Sequence, residues 1–531
     1  MCIERVIVKN YRALASLDLA IRPHLNIIVG NNETGKSTLL EAINLALKCQ
    51  LNRRAAAAEL HPYLFNTDCV RDFLTKLRAG VPVEPPRILI ELYLKDCPDF
   101  AAYKGTNNSL SEDKPGISLA IELDREAFGQ EYRDYIADPT RLNGVPVEYY
   151  KIEWKDFADC PVNARNVPVE SALVDPSSIS NTYAANKYVL EIARDFLTKK
   201  QTVELALSYR HLRDIFFDDS SVKLINTELE KQTGTVTEKT LSIALDMTAR
   251  AGWEGGVLPH LDDIPLTLIG KGEQNAVKIK LAIVAKDACP IFLLEEPENH
   301  LSHANLNRLI SHIGDTAKGK QFLITTHSSF VLNKLGVENI LMFDGKKAIT
   351  LGQLPTSTEA YFKKLPGHDT LRMILAQKTI LVEGPSDELI VQKAFFQTHA
   401  KMPLEAGVEV ISVNALAFKR FLDIAKLLEI DTCVVTDNDG NTRSLKAKFA
   451  DYNTAVNICL SYSSDESLRT LEYHIVKLNS RDQLNKIFGK AYPTDDELLG
   501  FMLNNKTDCA LRIFDSPETL VMPEYIQNAV K

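Results

Sequence analysis

The chain lacks several features that would place it in a familiar class at once. No apolar run in its 531 residues approaches the roughly 18 residues that a membrane-spanning helix requires. The N-terminus begins a strand pattern, where a signal peptide would carry charged and then apolar residues. The nine cysteines are an odd number without a C-x-x-C pair, which argues against a disulfide framework or a zinc site. These absences predict a cytoplasmic protein with reduced thiols and no membrane attachment.

Basic charge, tryptophan and long heptad repeats are also scarce. A net charge of −9 means that any nucleic-acid-binding surface must be local. Trp154 and Trp253 lie far in sequence from the acidic motifs described below, so a stacking platform for single strands is not indicated. The absence of a long heptad run excludes an extended coiled coil. What is present is ordinary globular composition, 45% apolar and 25% charged, in a chain long enough for two or three domains.

A phosphate-binding motif follows a predicted strand near the N-terminus. Residues 26–29 form a short buried-strand pattern and lead directly into residues 30–37, which match G-x4-G-K-[ST]. A helix with one apolar face is predicted next, so that its N-terminus points at the bound anion. Backbone N–H groups would surround the phosphates, while Lys36 reaches the outer ones and Ser37 ligates Mg²⁺. The predicted ATP-binding residues are Gly30, Asn31, Asn32, Glu33, Thr34, Gly35, Lys36, Ser37 and Thr38.

A second strand of the same sheet is predicted to supply the carboxylates of the nucleotide site. Residues 290–294 are an apolar strand that ends in Glu295 and Glu296. Acids at the C-terminal end of a parallel strand lie beside the phosphates bound by a neighbouring P-loop. We therefore predict that Glu295 belongs to the Mg²⁺ shell and that Glu296 polarises the attacking water.

The order of four motifs resembles the ABC-type ATPase head shared by SMC-like repair proteins and OLD (overcoming lysogenization defect) nucleases. The motifs are the P-loop, G-x-G-E-x-N at residues 270–275, L-L-E-E-P-E-x-H-L at residues 293–301 and T-T-H-S at residues 325–328. The resemblance implies that two heads sandwich ATP, with Gly272 and Glu273 of one protomer facing the γ-phosphate held by the other. It also implies that His327 senses that phosphate. Glu295 stands where many ABC heads have Asp, which implies slower turnover.

The region between the P-loop and the G-x-G-E-x-N motif divides into two parts. Residues 55–175 mix strands with turns and are predicted to form an antiparallel flank of the head, whereas residues 181–230 have a helical pattern. The resemblance implies that the helical part is an insertion used for dimerisation, although a helix pair packed on its own head explains the pattern nearly as well. The predicted ATPase head comprises residues 1–175 and 251–354, with the helical insertion at 176–250.

The C-terminal half alternates strands and helices, which predicts a parallel α/β sheet. The buried strand 378–382 ends in Glu383, and the strand 432–436 ends in the D-x-D of Asp437 and Asp439. Parallel strands bring their carboxyl ends to one edge, and converging carboxylates favour Mg²⁺ or Mn²⁺ beside a phosphate. A D-x-D alone occurs in many surface turns, but its combination with the first strand's L-V-E-G is specific.

This arrangement resembles the Toprim module of topoisomerases, primases and OLD nucleases, and further matches point to the OLD type. They are Asp387, four residues after Glu383 in place of the usual second Glu, a T-L-E segment at residues 470–472, Lys506, and P-x-Y-I at residues 523–526. The resemblance implies that Lys506 stabilises charge on the phosphorane while acids hold two metals. The implied metal ligands are Glu383, Asp387, Asp437, Asp439 and Glu472.

A short basic segment follows the D-x-D. Arg443, Lys446 and Lys448 are suitable for contacts with DNA phosphates. A solvated helix face explains the same three residues almost as well. The sequence leaves this choice open.

Together these patterns predict an α/β protein in which an ABC-type ATPase head, a linker at 355–370 and a Toprim domain at 371–531 follow one another. The resemblance implies an OLD-family, Gabija-like endonuclease that cuts or nicks DNA with ATP and Mg²⁺ or Mn²⁺, acts as a homodimer or higher oligomer, and serves anti-phage defence. A helicase or a retron-type RNA or DNA is the kind of partner such systems use. A topoisomerase or primase would need a further domain, for which residues 440–531 leave little room. The alternative from another class is an ATP-switched scaffold that holds a partner effector.

Overall fold

The computed structural model describes the chain outside a set of short gaps, which are residues 1–2, 32, 53, 139–141, 175–188, 191–196, 232–238, 244–256, 286–289, 317–318, 344–347, 351–353, 365–369 and 414–416. The described strands are β1 (Ile3–Tyr11), β2 (Leu14–Ala20), β3 (Leu25–Val29), β4 (Gln50–Leu51), β5 (Arg54–Ala55), β6 (Ile88–Leu94), β7 (Lys104–Gly105), β8 (Lys114–Leu123), β9 (Tyr150–Asp156), β10 (Ser171–Val174), β11 (His260–Leu261), β12 (Ile264–Pro265), β13 (Ile291–Glu295), β14 (Gln321–Thr325), β15 (Ile340–Phe343), β16 (Ala348–Thr350), β17 (Lys378–Val382), β18 (Val408–Ser412), β19 (Asp431–Val435) and β20 (Ile458–Ser461).

The described α-helices accompany these strands in both halves of the chain. They are α1 (Lys36–Lys48), α2 (Thr67–Arg78), α3 (Arg125–Ile136), α4 (Lys199–Asp218), α5 (Ser220–Glu230), α6 (Lys271–Ala285), α7 (His303–Thr316), α8 (Ser329–Leu335), α9 (Thr356–Lys364), α10 (Thr370–Leu375), α11 (Pro385–His399), α12 (Phe418–Leu428), α13 (Thr442–Lys448), α14 (Leu471–Leu478), α15 (Arg481–Phe488), α16 (Asp495–Asn504), α17 (Lys506–Asp515) and α18 (Glu524–Val530).

The N-terminal half contains an antiparallel sheet and a mostly parallel sheet on either side of α1. The antiparallel sheet has the order β2-β1-β6-β8, with β7 and β9 both paired to β8. Every residue of β6 is buried, because this strand lies in the middle of the sheet and packs against α1. This sheet contains most of the strands between residues 55 and 175, in agreement with the predicted antiparallel flank.

The P-loop sheet has the order β10-β13-β14-β3-β15-β16 and is parallel except for its last pair. All five residues of β3 are buried, which explains its unbroken apolar pattern in the sequence. Helix α1 follows at once and buries the apolar face that the sequence predicts, including Leu39, Leu40 and Ile43. Strand β14 lies between β3 and β13, and all three strands are parallel, so the residues that follow them lie at one edge of the sheet.

The described part of the helical insertion contains α4 and α5. Helix α4 begins with a capping box in which Thr198 accepts from the Gln201 backbone. No residue of α4 is buried, and apolar side chains such as Val203 and Leu212 are 58% and 61% exposed. Over these described residues, α4 is therefore not packed on its own head, contrary to one of the two interpretations of the sequence. Residues 181–188 and 191–196 of the predicted helical stretch lie outside the described residues.

The C-terminal half is built on a four-stranded parallel sheet with the order β18-β17-β19-β20, as the strand and helix alternation predicts. Strands β17 and β19 are neighbours, so the residues that follow them meet at the centre of the sheet's carboxyl edge. Helix α11 packs against α17 and α18, and α18 also contacts β19 and β20, so the end of the chain returns to this sheet. The predicted α/β fold class, with a parallel sheet in the C-terminal half, is confirmed.

The segment predicted as a linker carries helix α9, which packs against both halves of the chain. Its Phe362 is fully buried, and its Thr358 Oγ1 donates a 2.5 Å hydrogen bond to Asp423 Oδ2 on α12. Thr370, at the start of α10, donates a 2.7 Å hydrogen bond to Asn333 on α8. One hydrophobic core continues from β3 through these helices to α12. The described residues of the connection are therefore a packed bridge, not a loose tether.

Two further sequence expectations concern membranes and thiols. In the part of the chain that the structure describes, no helix has the length and apolar character needed to cross a membrane. The cysteines in that part are free thiols, namely Cys49, Cys69, Cys97, Cys160, Cys433, Cys459 and Cys509.

Candidate functional site

The P-loop lysine lies at the start of α1 and is held by its own loop. Lys36 Nζ donates 2.8 Å hydrogen bonds to the carbonyl oxygens of Gly30 and Asn31. Burial lowers the pKa of Lys36, and the carboxylates of Glu296 and Glu295 partly offset that effect. The structure thus brings the two acids at the end of β13 to the lysine of the P-loop, as the sequence predicts.

The glycines of the P-loop are required by close packing. A Cβ atom on Gly30 would lie 2.2 Å from the Phe343 carbonyl oxygen, and one on Gly35 would lie 2.8 Å from the Leu14 side chain. Gly35 also has a φ of 95°, which favours glycine. This tight turn leaves the N-terminus of α1 open to an anion, and Ser37 and Thr38 lie in that first turn. Asn32 lies outside the described residues.

Glu296 and His327 face each other at the end of the sheet. His327 Nε2 lies 3.4 Å from Glu296 Oε1, and Asn299 Nδ2 donates a 2.9 Å hydrogen bond to Glu296 Oε2. Glu296 has a φ of 41°, a backbone conformation that is uncommon for glutamate. The structure therefore brings the predicted water-polarising acid and the predicted phosphate sensor together.

The G-x-G-E-x-N motif begins helix α6 and also contacts its own head. A Cβ atom on Gly272 would lie 2.1 Å from the His300 carbonyl oxygen, so α6 approaches the loop after β13 closely. Asn275 is buried and donates a 3.2 Å hydrogen bond to the Asn299 carbonyl oxygen. Glu273 is exposed. The sequence pattern indicated only a contact of this motif with the partner's ATP. The contact with the loop after β13 of the same head was not predicted.

A second group of acids meets at the carboxyl edge of the C-terminal sheet. Glu383 follows β17 and Asp437 follows β19, while Asp387 and Glu472 lie in the first turns of α11 and α14. The Gly384 amide donates a 3.1 Å hydrogen bond to Asp387 Oδ2. Lys506, the first residue of α17, places its Nζ 3.2 Å from Glu472 Oε2. The predicted catalytic lysine is thus adjacent to the acids.

The pKa values of these groups report how strongly the acids act on one another. Burial, followed by the charges of Asp387, Glu383 and Glu472, raises the pKa of Asp437 to about 8. Burial and the charge of Glu383 raise the pKa of Asp387 to about 6. Burial lowers the pKa of Lys506, but the carboxylates of Glu472, Asp437 and Asp387 outweigh it, so the net shift is upward. Such mutual repulsion among buried acids is relieved by a bound cation.

The donor set is suited to a hard divalent cation, because carboxylate oxygens are the ligands that Mg²⁺ and Mn²⁺ take. Among the described residues, no three acid, histidine or cysteine side chains are already gathered closely enough to close around an ion. Asp439 differs from the other predicted ligands because it is exposed and has a φ of 47°. Its amide donates to the Arg469 carbonyl oxygen at 3.2 Å. The described site therefore centres on Glu383, Asp387, Asp437 and Glu472.

Three residues around these acids were not singled out for the site in the sequence. Thr436 Oγ1 donates a hydrogen bond to Glu383 Oε1, and Thr470 Oγ1 donates one of 2.5 Å to Glu472 Oε2. Tyr525 is buried, and its pKa is raised first by burial and then by the charges of Asp437 and Asp387. Thr436 directly precedes Asp437, Thr470 lies two residues before Glu472 in T-L-E, and Tyr525 belongs to P-x-Y-I, so these signals were visible in the sequence.

The basic residues after the D-x-D lie on α13. Arg443 and Lys446 are exposed. Lys448 Nζ lies 5.6 Å and 5.3 Å from the ring centroids of Phe418 and Phe449, so its charge already contacts two aromatic rings of the same chain. Of these three basic residues, Arg443 and Lys446 are exposed and make no such ring contact among the described residues.

Three family models match parts of the chain. The model described as "Overcoming lysogenization defect protein-like, TOPRIM domain" matches residues 374–439. The model described as "AAA ATPase domain" matches residues 1–80, and a second AAA domain model matches residues 153–333. The matched ranges contain the P-loop, the acids after β13, and the strands that carry Glu383 and Asp437.

Two curated proteins are similar to the chain over most of its length. Endonuclease GajA of Bacillus cereus (strain VD045) is 21% identical over 488 residues, which cover 88% of this chain and 80% of that protein. The OLD nuclease of Thermus scotoductus (strain ATCC 700910 / SA-01) is 20% identical over 464 residues, which cover 82% of each chain. Among solved structures, that of the recombination mediator protein RecF with ATP is 12% identical, covers 66% of this chain and 99% of that chain, and has a TM-score of 0.35, which is too low to support an argument.

The domain matches agree with the two sites that the structure assembles. The nucleotide site lies in the region that the AAA models cover, and three of the four clustered acids, Glu383, Asp387 and Asp437, lie in the region that the Toprim model covers. The chain thus joins regions that match AAA ATPase domain models to a region that matches an OLD-like Toprim domain model, and it is similar to an endonuclease and to an OLD nuclease over most of its length.

Proposed function

We propose that this chain is an ATP-binding and ATP-hydrolysing endonuclease that nicks or cuts DNA in a reaction dependent on Mg²⁺ or Mn²⁺. The observation that carries the proposal is the convergence of Glu383, Asp387, Asp437 and Glu472 with Lys506 at the edge of the C-terminal sheet. Repelling carboxylates with one adjacent cationic side chain match the charge pattern of a phosphodiester-cleaving site.

In the proposed site, the acids, the lysine and the threonines have different tasks. Glu383, Asp387, Asp437 and Glu472 are the ligands, with Asp439 at the rim. Bound divalent metal would activate water and neutralise charge on the scissile phosphate. Lys506 contributes positive charge beside Glu472 and stabilises the phosphorane. Thr436 and Thr470 orient Glu383 and Glu472 through their hydrogen bonds.

In the proposed nucleotide site, Lys36 exchanges its bonds to the loop carbonyls for bonds to the outer phosphates of ATP. Glu295 and Ser37 are the residues that would hold Mg²⁺. Glu296 orients the attacking water, and His327 lies beside it to contact the γ-phosphate. One departure supports slow turnover, namely Glu295 where many ABC heads have Asp.

We further propose that the active species is a homodimer or a higher oligomer. Glu273 is exposed at the start of α6, where it can reach a nucleotide bound by a second head. The apolar side chains exposed along α4 and α5 are suited to a protein contact, since large apolar patches on a single chain usually mark an interface. We propose residues 176–250 as the dimerisation region and residues 371–531 as the nuclease domain.

The biological setting is proposed from the resemblance to Gabija-type nucleases. It comprises a cytoplasmic location, anti-phage defence, and action alone or with a partner such as a helicase or a retron-type nucleic acid. Comparison of phage plating on hosts that express the parent chain or Asp437→Ala would test this role. Equal plating on both hosts would contradict it.

One observation favours a second candidate function. The apolar side chains exposed along α4 and α5 are also suited to contact with a partner protein, which favours an ATP-switched scaffold whose Toprim domain holds, or acts only with, a partner effector. Incubation of the purified protein with supercoiled plasmid and Mg²⁺ or Mn²⁺, with and without ATP, separates the two. Metal-dependent nicking by the protein alone supports the endonuclease, whereas its absence in both metals supports the scaffold.

A further inference from the structure

Glu298 connects the loop that follows β13 to the turn that carries His327. Its Oε1 atom accepts two hydrogen bonds, one of 2.7 Å from Thr326 Oγ1 and one of 2.8 Å from the His327 backbone N–H. Thr326 is fully buried, and its hydroxyl oxygen accepts a 3.0 Å hydrogen bond from the Ser328 amide. One carboxylate oxygen therefore holds both the Thr326 side chain and the N–H of the Thr326–His327 peptide bond.

The second carboxylate oxygen of Glu298 is buried and has no hydrogen-bond partner among the described residues. Burial raises the pKa of this carboxyl, and the hydrogen bonds from Thr326 and His327 oppose the shift. A buried, half-satisfied carboxyl reduces folding stability. Such a group persists where its other oxygen performs a specific task.

The task is suggested by what lies on the far side of His327. The imidazole Nε2 is 3.4 Å from Glu296 Oε1, and Glu296 belongs to the same loop as Glu298. Glu296 has the uncommon φ of 41°, and Pro297, which is buried, separates the two acids. The loop thus contacts His327 twice, at its backbone through Glu298 and at its ring through Glu296.

We propose that Glu298 is a positioning residue for ATP hydrolysis, which holds the Thr326–His327 turn so that the His327 imidazole lies against Glu296. Glu298 itself contacts neither the nucleotide nor the attacking water. The inference rests on the proposed function, in which Glu296 and His327 act on ATP. Of the three acids in L-L-E-E-P-E-x-H-L, Glu295 is proposed to hold Mg²⁺ and Glu296 to polarise water. The inference assigns a role to the third acid, Glu298.

The test compares Glu298→Gln with Glu298→Met, each in the parent chain and in a His327→Ala chain. Gln keeps an oxygen that accepts from Thr326 and His327, whereas Met has a similar size and no such acceptor. ATP hydrolysis of all variants is measured with kcat and KM separated, together with thermal unfolding midpoints. We expect Gln to retain most of kcat, and Met to lower it about tenfold to a hundredfold with little change in KM, because displacement of a catalytic group by about 1 Å has effects of this size.

The His327→Ala background separates positioning from general damage. Because Glu298 acts through His327, Glu298→Met should change kcat less than about twofold once the imidazole is gone. The same loss in both backgrounds would overturn the inference while leaving the proposed function intact. Equal losses for Gln and Met would also overturn it.

Two further controls keep the outcomes distinct. If His327→Ala hydrolyses ATP at the parental rate, the proposed role of His327 fails and the inference fails with it. If Glu298→Met does not fold, Thr326→Val replaces it, since that change removes one of the two hydrogen bonds to Glu298 Oε1. Its kcat should fall in the parent chain and not in the His327→Ala chain, and an equal fall in both would overturn the inference.

Discussion

Lys506 Nζ lies 3.2 Å from Glu472 Oε2, and the two residues lie in the first turns of two different helices, α17 and α14. Glu472 is buried, whereas Lys506 is partly exposed, so the ammonium group lies between the acids and solvent. A substrate phosphate that approaches the acids from solvent would meet this charge first. The pair therefore connects the acidic cluster to the expected path of DNA.

The position of Lys506 predicts that its charge is needed for cleavage. Lys506→Ala should lower plasmid nicking by roughly 10²-fold or more, because it removes charge stabilisation at the phosphorane. Lys506→Arg should retain part of the activity, since it keeps the charge with a different shape. Lys477→Ala is the matched control, as Lys477 is exposed and pairs with Asp465, which is not a predicted metal ligand. Loss of nicking in the control but not in Lys506→Ala would contradict the assignment.

The buried D-x-D acid gives a second prediction. Asp437→Ala should abolish cleavage while ATP binding and the thermal unfolding midpoint remain close to the parent, because the change removes a metal ligand and leaves β19 intact. Gel assays of supercoiled plasmid with Mg²⁺ or Mn²⁺ measure the effect. Asp482→Ala, which alters an exposed acid on α15, should cleave normally. Undiminished nicking by Asp437→Ala would refute the Toprim metal site.

The strand ends of both sites could be predicted from sequence because the relevant signals are local. The apolar pattern of β3 leads directly into the P-loop, and the position of Glu383 after β17 or Asp437 after β19 is set by strand length alone. The exposure of Asp439, by contrast, could not be predicted from the length of the strand. Alternate residues of an extended strand share a face, but the positive φ at Asp439 turns the chain there.

Contacts between segments distant in sequence could not be predicted from the pattern. The hydrogen bond from Asn275 to the Asn299 carbonyl oxygen requires α6 and the β13 loop to be placed first. The packing of α9 against both halves could not be predicted either. A nine-residue helix has too few apolar positions for its sequence pattern to indicate burial on two sides. Local motifs thus located the sites, and only the tertiary structure revealed how they are held.

The nucleotide site predicts two separable losses. Lys36→Ala should weaken ATP binding, since Lys36 supplies charge to the phosphates, whereas Glu296→Gln should bind ATP and hydrolyse it slowly, since an amide cannot orient and polarise water in the same way. Equilibrium binding of a fluorescent ATP analogue and phosphate release measure the two effects. If Glu296→Gln hydrolysed ATP at the parental rate, Glu295 or another acid would be the catalytic one.

A thiol pair on neighbouring strands gives a pH-dependent prediction. Cys433 on β19 and Cys459 on β20 are paired in register with their Sγ atoms 2.7 Å apart. The hydrogen bond from Cys433 lowers the pKa of Cys459, so its thiolate form becomes populated at a lower pH than that of an ordinary thiol. Alkylation by iodoacetamide, followed by peptide mass spectrometry, should be faster at Cys459 than at the exposed Cys69 near pH 7.

The control for the thiol prediction removes the donor. Cys433→Ala should return the Cys459 pKa toward its usual range, so that alkylation near pH 7 slows and the rate rises with pH only at more alkaline values. Equal rates in the parent and Cys433→Ala would show that the hydrogen bond does not act on the thiol.

The exposed Glu273 predicts that ATP hydrolysis requires two chains. Gly272 and Asn275 bind the loop of their own head, which leaves Glu273 at the surface, where the phosphate of a second head can be reached. Glu273→Arg should therefore leave ATP binding by each chain unchanged and remove both ATP hydrolysis and any effect of ATP on DNA cleavage. Such an effect requires ATP to bind two arrangements of the heads with different affinity. The packed bridge of α9 and α10 would transmit the change of arrangement to the acids after β17.

Mixing of Lys36→Ala and Glu273→Arg proteins is the decisive measurement. Each variant alone should lack ATP hydrolysis, but a mixed dimer contains one composite site with an intact P-loop and an intact Glu273. Hydrolysis should therefore reappear on mixing and pass through a maximum near equal amounts of the two proteins. Lys271→Ala, which changes the exposed residue beside Gly272, is a control for general damage to the motif and should form active sites with either variant. If subunit exchange is confirmed by two fluorescent labels and no hydrolysis returns at any ratio, each head works alone, and the exposure of Glu273 has another cause.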